Sequence, residues 1–459
     1  MPSSESSNSL TDSAKALTPD KPAAPSANGV SNINRVVIWM LRLLVGGVFV
    51  MSGLTKSIDL WGFLFKLEEY LGVWHITQPR SVVFMAAMLI SGYEFVLGAL
   101  LMMGCYKRVT AWGLTLTMVV MLPLTLYLWI ADPVSDCGCF GDFLKLSNGA
   151  TFLKNVVITA GLLYLIKWNV RLKEALFNPA IQWIVGALIT LYILIVGLYG
   201  YNAQPMADFR AFPVGTQLLG DGSDESDDFL FVYEKDGHTE EFSIDNLPDS
   251  TWEFVDRIEQ PSDESGSHTG SHLAIFDGDD DAVEHGDDDV TAEVIEAEGE
   301  QYLLVIPEPR RADISNSYTI NEIKEKADSL GIPFIALLGT DVRGIALWTD
   351  LAMAEYPCYS ADDTQLKELV RGNISLVMLR DGVVESKTTI SSMMPEVIEN
   401  PPSDEAFSDE LKGYGHRWFT AVNGIFGFVL LLIYLFQGLI LAIRLKIKGA
   451  YQRKHAKKA

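Results

Sequence analysis

The chain has 459 residues, of which 49% are hydrophobic and only 20% are charged. This composition excludes a disordered chain, and the length allows about three domains. The positive mean hydropathy of so long a chain indicates a membrane protein. Four cysteines are too few for a small scaffold held together by disulfides.

Charge is distributed unevenly along the chain. Residues 201–410 contain 48 acidic and 12 basic residues, a net charge of −36, whereas the remaining 249 residues have a net charge of +12. The chain therefore consists of two physically different parts. We expect neither of them to bind nucleic acid.

Six apolar segments are long enough, or nearly so, to cross the hydrocarbon core of a lipid bilayer, which takes about 20 helical residues. They are residues 36–54, 82–103, 109–130, 151–166, 181–199 and 418–443. The first is too long and too charged to be the apolar part of a secretory signal. An interfacial helix or a re-entrant loop is expected at 55–80.

Basic residues in the short loops predict the orientation of these segments. They are Lys107, Arg108, Lys167, Arg171 and Lys173 in the second and fourth connections, and seven more Lys and Arg after the sixth segment. We therefore expect both termini in the cytoplasm, with a disordered tail at 1–34 and a basic tail at 444–459. The acidic region 201–410 is then expected outside.

Two cysteines lie at the outer end of the third segment, in the sequence Cys137-Gly138-Cys139-Phe140-Gly141. Two thiols at this spacing can close a small, tight disulfide ring, for which the glycine supplies backbone freedom. Strained, exposed disulfides have the higher reduction potentials of catalytic pairs. Three interpretations stay open: a redox pair, a structural staple, and half of a metal site. No His or second Cys pair stands at ligand spacing, so we predict no metal ion.

Two charged residues fall inside the apolar segments, Arg42 in the first and Glu94 in the second. A charge at this depth costs a few kcal/mol, so each should face the bundle interior or a water pocket. Glu94, with Arg42 as its partner, then either lines a site for a polar headgroup or a proton, or forms an ion pair that only orients the helices. Lys154 and Asn155, near the start of the fourth segment, are expected at the membrane interface.

A wider set of residues in the first part of the chain fits one pattern. The set comprises Arg42, Phe49, Ser52, Gly53, Lys56, Asp59, Gly62, Lys66, Tyr70, Glu94, Gly98, the Cys-Gly-Cys-Phe-Gly motif at 137–141, Lys154 and Asn155. By this pattern residues 35–170 resemble the DoxX/MauE superfamily, and the motif at 137–141 is its most specific part. The family commonly has proline after the aspartate, where this chain has Leu60.

The resemblance implies a four-helix bundle at 35–170 in a bacterial inner membrane, with region 201–410 in the periplasm. For MauE it implies disulfide formation or electron transfer, in the manner of DsbB and VKOR-type proteins. Relatives named as thiosulfate:quinone oxidoreductase subunits point to quinone as electron acceptor. It also makes Lys56, Asp59, Lys154 and Asn155 accessory site residues. A thiol-to-quinone relay commonly uses two cysteine pairs, so the second would come from a periplasmic thiol protein or oxidoreductase in trans.

Short strands and helices alternate between residues 301 and 390. Strands are predicted at 302–306, 332–338, 375–379 and 383–386, and helices at 318–330 and 364–371, with a hairpin turn at Arg380-Asp381-Gly382. This order resembles the thioredoxin fold. The preceding acidic segment, 201–300, contains a predicted hairpin at 233–242 and a solvated insertion.

The thioredoxin resemblance does not extend to the active site. Glu308-Pro309-Arg310-Arg311 stands where a C-x-x-C would be, and Asn373-Ile374 stands where thioredoxins have a cis-proline. Dithiol exchange by this region is therefore not expected. Cys358, in the connection before the short helix, is either a buried structural thiol or a redox contact of the Cys137/Cys139 pair.

These observations lead to two hypotheses of different class. In the first, the chain is a six-span α-helical membrane protein with a thioredoxin-like α/β domain. Cys137 and Cys139 cycle between dithiol and disulfide and pass electrons to a membrane quinone, and Glu94 and Arg42 lie beneath the pair in the bundle interior. In the second, the protein is a non-enzymatic envelope scaffold whose α/β domain binds a partner.

Overall fold

A computed structural model describes residues 32–131, 138–144, 146–172, 175–219, 229–235, 238–242, 253–259, 273–277, 289–413 and 415–456. The described part of the chain contains thirteen α-helices and nine β-strands. The helices are α1 (Asn32–Ile58), α2 (Leu60–Val73), α3 (Arg80–Met102), α4 (Lys107–Ala131), α5 (Asn148–Trp168), α6 (Gln182–Asn202), α7 (Thr291–Val294), α8 (Ser317–Leu330), α9 (Val342–Ala352), α10 (Asp363–Leu369), α11 (Pro395–Glu399), α12 (Asp404–Lys412) and α13 (Gly415–Ala456). The strands are β1 (Phe229–Lys235), β2 (His238–Phe242), β3 (Glu253–Glu259), β4 (Ile275–Phe276), β5 (Glu300–Ile306), β6 (Phe334–Leu338), β7 (Cys358–Ala361), β8 (Ser375–Arg380) and β9 (Val383–Thr389).

Six helices, α1, α3, α4, α5, α6 and α13, are long and apolar enough to cross a membrane, as predicted. The fourth span is longer than its predicted apolar core, because Ser147 caps α5 by accepting a hydrogen bond from the amide of Ala150. Between the first two spans, α2 is a helix, which is one of the two alternatives expected there. Helix α13 packs on α6, where the Tyr192 and Phe426 rings stack with centroids 4.1 Å apart.

Helices α1 and α3 approach so closely that only glycine fits at their contact. A Cβ atom on Gly53 would lie 2.5 Å from the backbone of α3, and one on Gly46 would lie 2.8 Å from the carbonyl oxygen of Gly98. Small residues of this kind let helix backbones approach in membranes, where lipid offers no hydrophobic driving force for association. The glycine contacts therefore fix the register of α1 against α3.

The C-terminal α/β region is built on a mixed six-stranded sheet with the order β4-β7-β6-β5-β8-β9. Strands β5, β6 and β7 are parallel, β8 pairs antiparallel with β5, and β9 pairs antiparallel with β8. At the predicted hairpin turn, Asp381 and Gly382 both have positive φ, 55° and 75°, as a two-residue hairpin loop requires. One apolar cluster covers each face of the sheet, with Leu304 at 0% exposure in one and Leu303 at 0% in the other.

Between residues 301 and 390 the predicted helices and strands are present, with two additions. Helix α8 ends at Gly331, which has a φ of 72°, at the predicted stop. Helix α9 and strand β7 were not predicted. Cys358, expected in a connection, instead begins β7, where it pairs with Ala336 of β6. A four-residue strand directly after proline gives too short a pattern to be recognised from sequence.

The acidic segment also contains regular structure. Strands β2, β1 and β3 form a separate three-stranded antiparallel sheet. The pairing of Lys235 with His238 is that of the predicted hairpin around Gly237, although the two loop residues lie outside the described ranges. Most of the predicted acidic insertion also lies outside them.

Candidate functional site

Three polar side chains meet inside the helical bundle, near the end of α1 that adjoins the α/β region. The Lys56 ammonium donates to Glu94 Oε2 at 2.9 Å, and the Ser52 hydroxyl lies 2.8 Å from the same oxygen. All three residues are buried, with Lys56 3% and Glu94 4% exposed. A buried ion pair needs such additional hydrogen bonds, because the desolvation of both charges is costly.

The register of α1 and α3 explains why this pair forms. Gly53 lies against Ser91 and Phe95, so Glu94 is level with Ser52. Lys56 is one helical turn further along α1 and reaches the same carboxylate. Nothing in the apolar pattern of the sequence identified Lys56 as the partner, because the predicted first span ended at residue 54.

The expected pairing of Arg42 with Glu94 is wrong. Arg42 is 14 residues from Lys56 on the same helix, about 21 Å along its axis. It lies at the opposite end of the bundle, where its Nε donates to Asn169 Oδ1 at 2.7 Å and its guanidinium covers the Trp39 ring. A Cβ on Gly104 would meet the Arg42 guanidinium at 2.6 Å. Arg42 is therefore not part of the cluster around Glu94.

The Ser52 hydroxyl connects this cluster to the cysteine motif. It lies 2.6 Å from the carbonyl oxygen of Cys139, so its single proton can serve either that oxygen or Glu94. Gly138 and Gly141 both adopt left-handed backbone conformations, with φ of 61° and 57°, and the amide of Gly141 donates to the Gly138 carbonyl. Cys137 lies outside the described residues. The motif thus uses glycine where the turn requires it.

The half-buried Cys139 packs among apolar side chains of α2 and α4, including Tyr70 and Leu128. Next to it, Phe140 is buried, and the Lys154 ammonium lies 4.4 Å from the centre of its ring. Asn155, one position further on α5, is 2% exposed and approaches Thr125 Oγ1 at 3.4 Å. The structure therefore places Lys154 beside the cysteine motif and Asn155 in the bundle interior.

Asp59, the accessory residue between α1 and α2, contacts the α/β region. Its carboxylate caps α2 by accepting from the Gly62 amide, and it pairs with Arg371, whose Nη2 lies 2.9 Å from Oδ2. Burial alone would raise the pKa of Asp59, but the charge and hydrogen bonds of Arg371, with help from Arg210 and the Gly62 amide, outweigh it and lower that pKa. The ion pair joins residues 312 positions apart in the chain.

A second ion pair joins the two regions at the carboxyl end of β5. Arg80, the first residue of α3, pairs with Glu308 at 2.5 Å and with Glu68 of α2 at 2.9 Å. Glu308 in turn exchanges two backbone–amide hydrogen bonds with Asn373, at 2.8 and 2.7 Å. Burial would raise the pKa of Glu308, but Arg80 and, more weakly, Lys367 and Arg311 lower it. The carboxyl end of β5 therefore rests on α2 and α3.

The two remaining cysteines have thiols that are poorly suited to exchange. Burial raises the pKa of Cys105, in the loop between α3 and α4, to about 11. Burial also raises the pKa of Cys358 to about 11, and its sulfur approaches the Tyr356 carbonyl at 3.5 Å. A thiol with this pKa is a thiolate only about once in 10⁴ at pH 7. This supports the interpretation of Cys358 as a structural thiol.

Sequence reasoning missed several residues of this site. Ser52 belonged to the family pattern but carried no assigned role, and its spacing of four from Lys56 was the signal that both share one helix face. Arg80, Glu308 and Arg371 gave no signal, because their partners are distant in sequence and lie in another region of the chain.

Two comparisons with known families bear on this geometry. Residues 34–167 match the family model described as methylamine utilisation protein MauE. Residues 228–261, which include β1, β2 and β3, match the model described as a domain of unknown function, DUF8463. No curated protein and no solved structure matches the chain. The protein is therefore a multi-pass membrane protein whose first spans form a MauE-like helical domain, followed by a region with a mixed α/β sheet.

Proposed function

We propose that this protein is a membrane thiol oxidoreductase in which Cys137 and Cys139 cycle between dithiol and disulfide. The observation that carries the proposal is the buried Lys56–Glu94–Ser52 cluster, which is hydrogen-bonded to the backbone of Cys139. Oxidation of two thiols to one S–S bond releases two electrons and two protons. A membrane quinone takes up both and becomes the quinol, so the exchange balances.

The cluster acts on the cysteine motif through its backbone. Ser52 holds the Cys139 carbonyl, and Lys56 pairs with the Glu94 carboxylate and fixes it in place. Gly138 and Gly141, in left-handed conformations on either side of Cys139, give the turn its shape. These residues therefore position the thiols rather than react with them. Arg42, at the other end of the bundle, takes no part.

The residues around Cys139 suit a quinone headgroup, which offers two carbonyl acceptors on an apolar ring. Lys154 supplies an ammonium donor beside the Phe140 ring, and Asn155 supplies an amide donor one residue along α5. The apolar packing of Cys139 against Leu128 and its neighbours provides the remaining surface. Lys154 and Asn155 would hold the quinone carbonyls.

The α/β region supports this chemistry without taking part in it. The order of β6, β5, β8 and β9, with a parallel pair followed by an antiparallel hairpin, is the one we expect of a thioredoxin-like fold. Glu308 and Asn373 replace its catalytic positions, and Arg80 occupies that edge. We place this region in the periplasm and both termini in the cytoplasm, so that a periplasmic thiol protein supplies electrons in trans.

Thiol trapping in membranes tests the proposal. Acid-quenched membranes are denatured and treated with a mass-tagged maleimide, with respiration active and then blocked. Of the four cysteines, Cys105 and Cys358 stay reduced, so we expect two tags during respiration and four once it stops. Cys139→Ser abolishes the change, and the matched control Cys105→Ser lowers the count by one in both states. An unchanged count in the wild type when respiration stops refutes redox cycling.

A second candidate, a non-enzymatic scaffold, is favoured by a different observation. The α/β region has ion pairs to the bundle at Asp59 and Glu308 and no cysteine at its carboxyl edge. This function predicts that a chain with Cys137→Ser and Cys139→Ser keeps its cellular phenotype, whereas deletion of 201–410 removes it. The thiol oxidoreductase predicts loss of the phenotype in the cysteine variant.

A further inference from the structure

A cavity of about 440 Å³ lies where the end of α6 meets the α/β region. Tyr199 of α6 and Gln204, just beyond it, form one side, and Ser386 and Lys387 of β9 form another. The residues of the Lys56–Glu94–Ser52 cluster do not line this cavity, so it is a separate feature. Because Tyr199 is in the last turn of a membrane-spanning helix, the cavity is at the depth of lipid headgroups.

Five charged side chains line the cavity: Asp208, Arg210, Glu385, Lys387 and Lys412. Glu385 and Lys412 pair with one another at 3.5 Å in partly exposed positions. Asp208 accepts from Arg210 Nε at 2.6 Å and from Lys387 Nζ at 2.9 Å. One carboxylate therefore balances two cations whose side chains are each 2% exposed. The lining has one net positive charge when Lys387 is protonated.

Two polar atoms of the lining lack a hydrogen bond. Arg210 Nη1 and Ser386 Oγ are buried and find no partner in the described part of the chain. Buried donors without partners are rare in native proteins, and each needs an explanation. Ser386 is opposite Met378 and therefore lies on the other face of the sheet from Lys387, which is opposite Val377. The Arg210 guanidinium and the Lys387 ammonium, with one uncompensated positive charge, are the donors that can meet one ligand, and they suit an oxyanion.

We propose that this cavity binds a phosphate group carrying one net negative charge, held by Arg210 and Lys387. The phosphodiester of a glycerophospholipid headgroup has this charge, and the depth of the cavity gives it access. The volume exceeds that of a bare phosphate and leaves room for a glycerol headgroup. Occupation of the site would join the α/β region to the lipid surface.

The titration of Lys387 makes the binding depend on pH. Burial and the neighbouring charge of Arg210 lower the pKa of Lys387 to about 7, with a smaller effect of Arg371, whereas Asp208 opposes the shift. The other charged groups that line the cavity, Glu385 and Lys412, largely offset each other. A bound anion favours the protonated ammonium, so affinity should fall as the pH rises from 6 to 9.

The test uses the full-length protein in an uncharged detergent and three probes: dihexanoyl phosphatidylglycerol, dihexanoyl phosphatidylcholine and inorganic phosphate. Binding is followed by phosphorus NMR line broadening at pH 6. We expect the anionic lipid to bind roughly 10-fold or more tighter to the wild type than to Lys387→Met, which lacks one charged donor. Arg210→Lys, which keeps the positive charge but removes the unpartnered Nη1 donor, should weaken binding several-fold. Arg343→Gln, which removes a cation from the exposed face of α9, is the control and should change nothing.

The three probes distinguish a lipid headgroup from free phosphate as the source of the bound phosphate group. Tight binding of the phosphatidylglycerol probe alone identifies a lipid headgroup site, and equal, competitive binding of inorganic phosphate identifies a small-anion site. Equal affinity of wild type, Arg210→Lys and Arg343→Gln for every probe overturns the proposal. Arg210→Lys keeps this test decisive if Lys387→Met does not fold. The result is independent of whether Cys137 and Cys139 cycle.

Discussion

The ion pair between Asp59 and Arg371 should hold the α/β region on the helical bundle, and its removal tests the docked arrangement directly. Arg371→Met keeps most of the side-chain length but leaves the Asp59 carboxylate buried without its cation. Their side chains are 4% and 10% exposed, so solvent screens the charge little. Breaking a buried pair from one side costs about 3–5 kcal/mol, which is roughly two to four orders of magnitude in the equilibrium for opening this contact.

A matched variant separates the charge from the contact. Asp59→Asn keeps the α2 cap, because asparagine is also a good cap residue, and removes the negative charge. The double variant Asp59→Asn with Arg371→Met then contains no uncompensated buried ion. We expect it to recover most of the loss, since replacing both partners of a buried pair is often nearly neutral.

Hydrogen–deuterium exchange on the full-length protein in detergent measures the effect at both ends of the contact. Peptides covering 60–73 and 363–371 should exchange faster in Arg371→Met than in wild type, and the double variant should restore their protection.

The direction of the pH dependence of this contact also follows from the pKa of Asp59. Arg371 lowers the pKa of Asp59 from 3.8, so the pair stabilises the wild type above pH 4 and this contribution is lost on acidification. In Arg371→Met burial raises that pKa, so the defect should shrink as the pH falls. Unchanged exchange in Arg371→Met, or equal exchange in the single and double variants, would contradict the docking.

Three further perturbations test other parts of the structure. Glu94→Gln leaves the Lys56 ammonium buried without its counter-ion and should therefore lower the thermal midpoint of unfolding of the full-length protein. It should also slow the re-formation of the disulfide after reduction, which thiol trapping measures. Gly53→Val places side-chain atoms against the backbone of α3 and should abolish accumulation of the folded protein in membranes, whereas Gly47→Val, with no atom within 4 Å of the new Cβ, should be tolerated. Lys387 has a pKa of about 7 in the folded protein against 10.5 when unfolded. The free energy of unfolding should therefore rise by up to about 5 kcal/mol between pH 7 and 10.5. Denaturant titrations of Lys387→Met should not show this rise.

The helical part of the fold was predictable because its signals are local. Twenty apolar residues have to be a helix in a membrane, since no water is present to satisfy an open backbone. The six spans and the hairpin at Asp381 and Gly382 are therefore readable from the sequence alone. The short strand β7 and helix α9 are not, because each is stabilised by packing on β6 and its neighbours rather than by its own pattern.

The site was predictable only in its components. Glu94 and the cysteine motif are recognisable because charge in a membrane segment and paired cysteines are unusual. Their assembly depends on the register of α1 against α3, which two glycine contacts fix to within one residue. The wrong partner, Arg42, was chosen because it is the one charged residue within the predicted first segment, 36–54. Lys56 was available in the sequence, but only the close approach at Gly53 brings it to Glu94.

The position of the α/β region determines where electrons could enter if the cysteine pair is a redox centre. The edge that ends at Glu308 contains no thiol and is occupied by Arg80. The Cys358 thiol, with its pKa raised to about 11, lies within the sheet beside Ala336 and not at that edge. An electron path through this region would therefore need a thiol that the docked edge does not supply. If the pair cycles as proposed, a thiol donor would have to reach the motif at 137–141 from another protein, and the α/β region would act by holding Asp59, three residues beyond Lys56, at the base of the site.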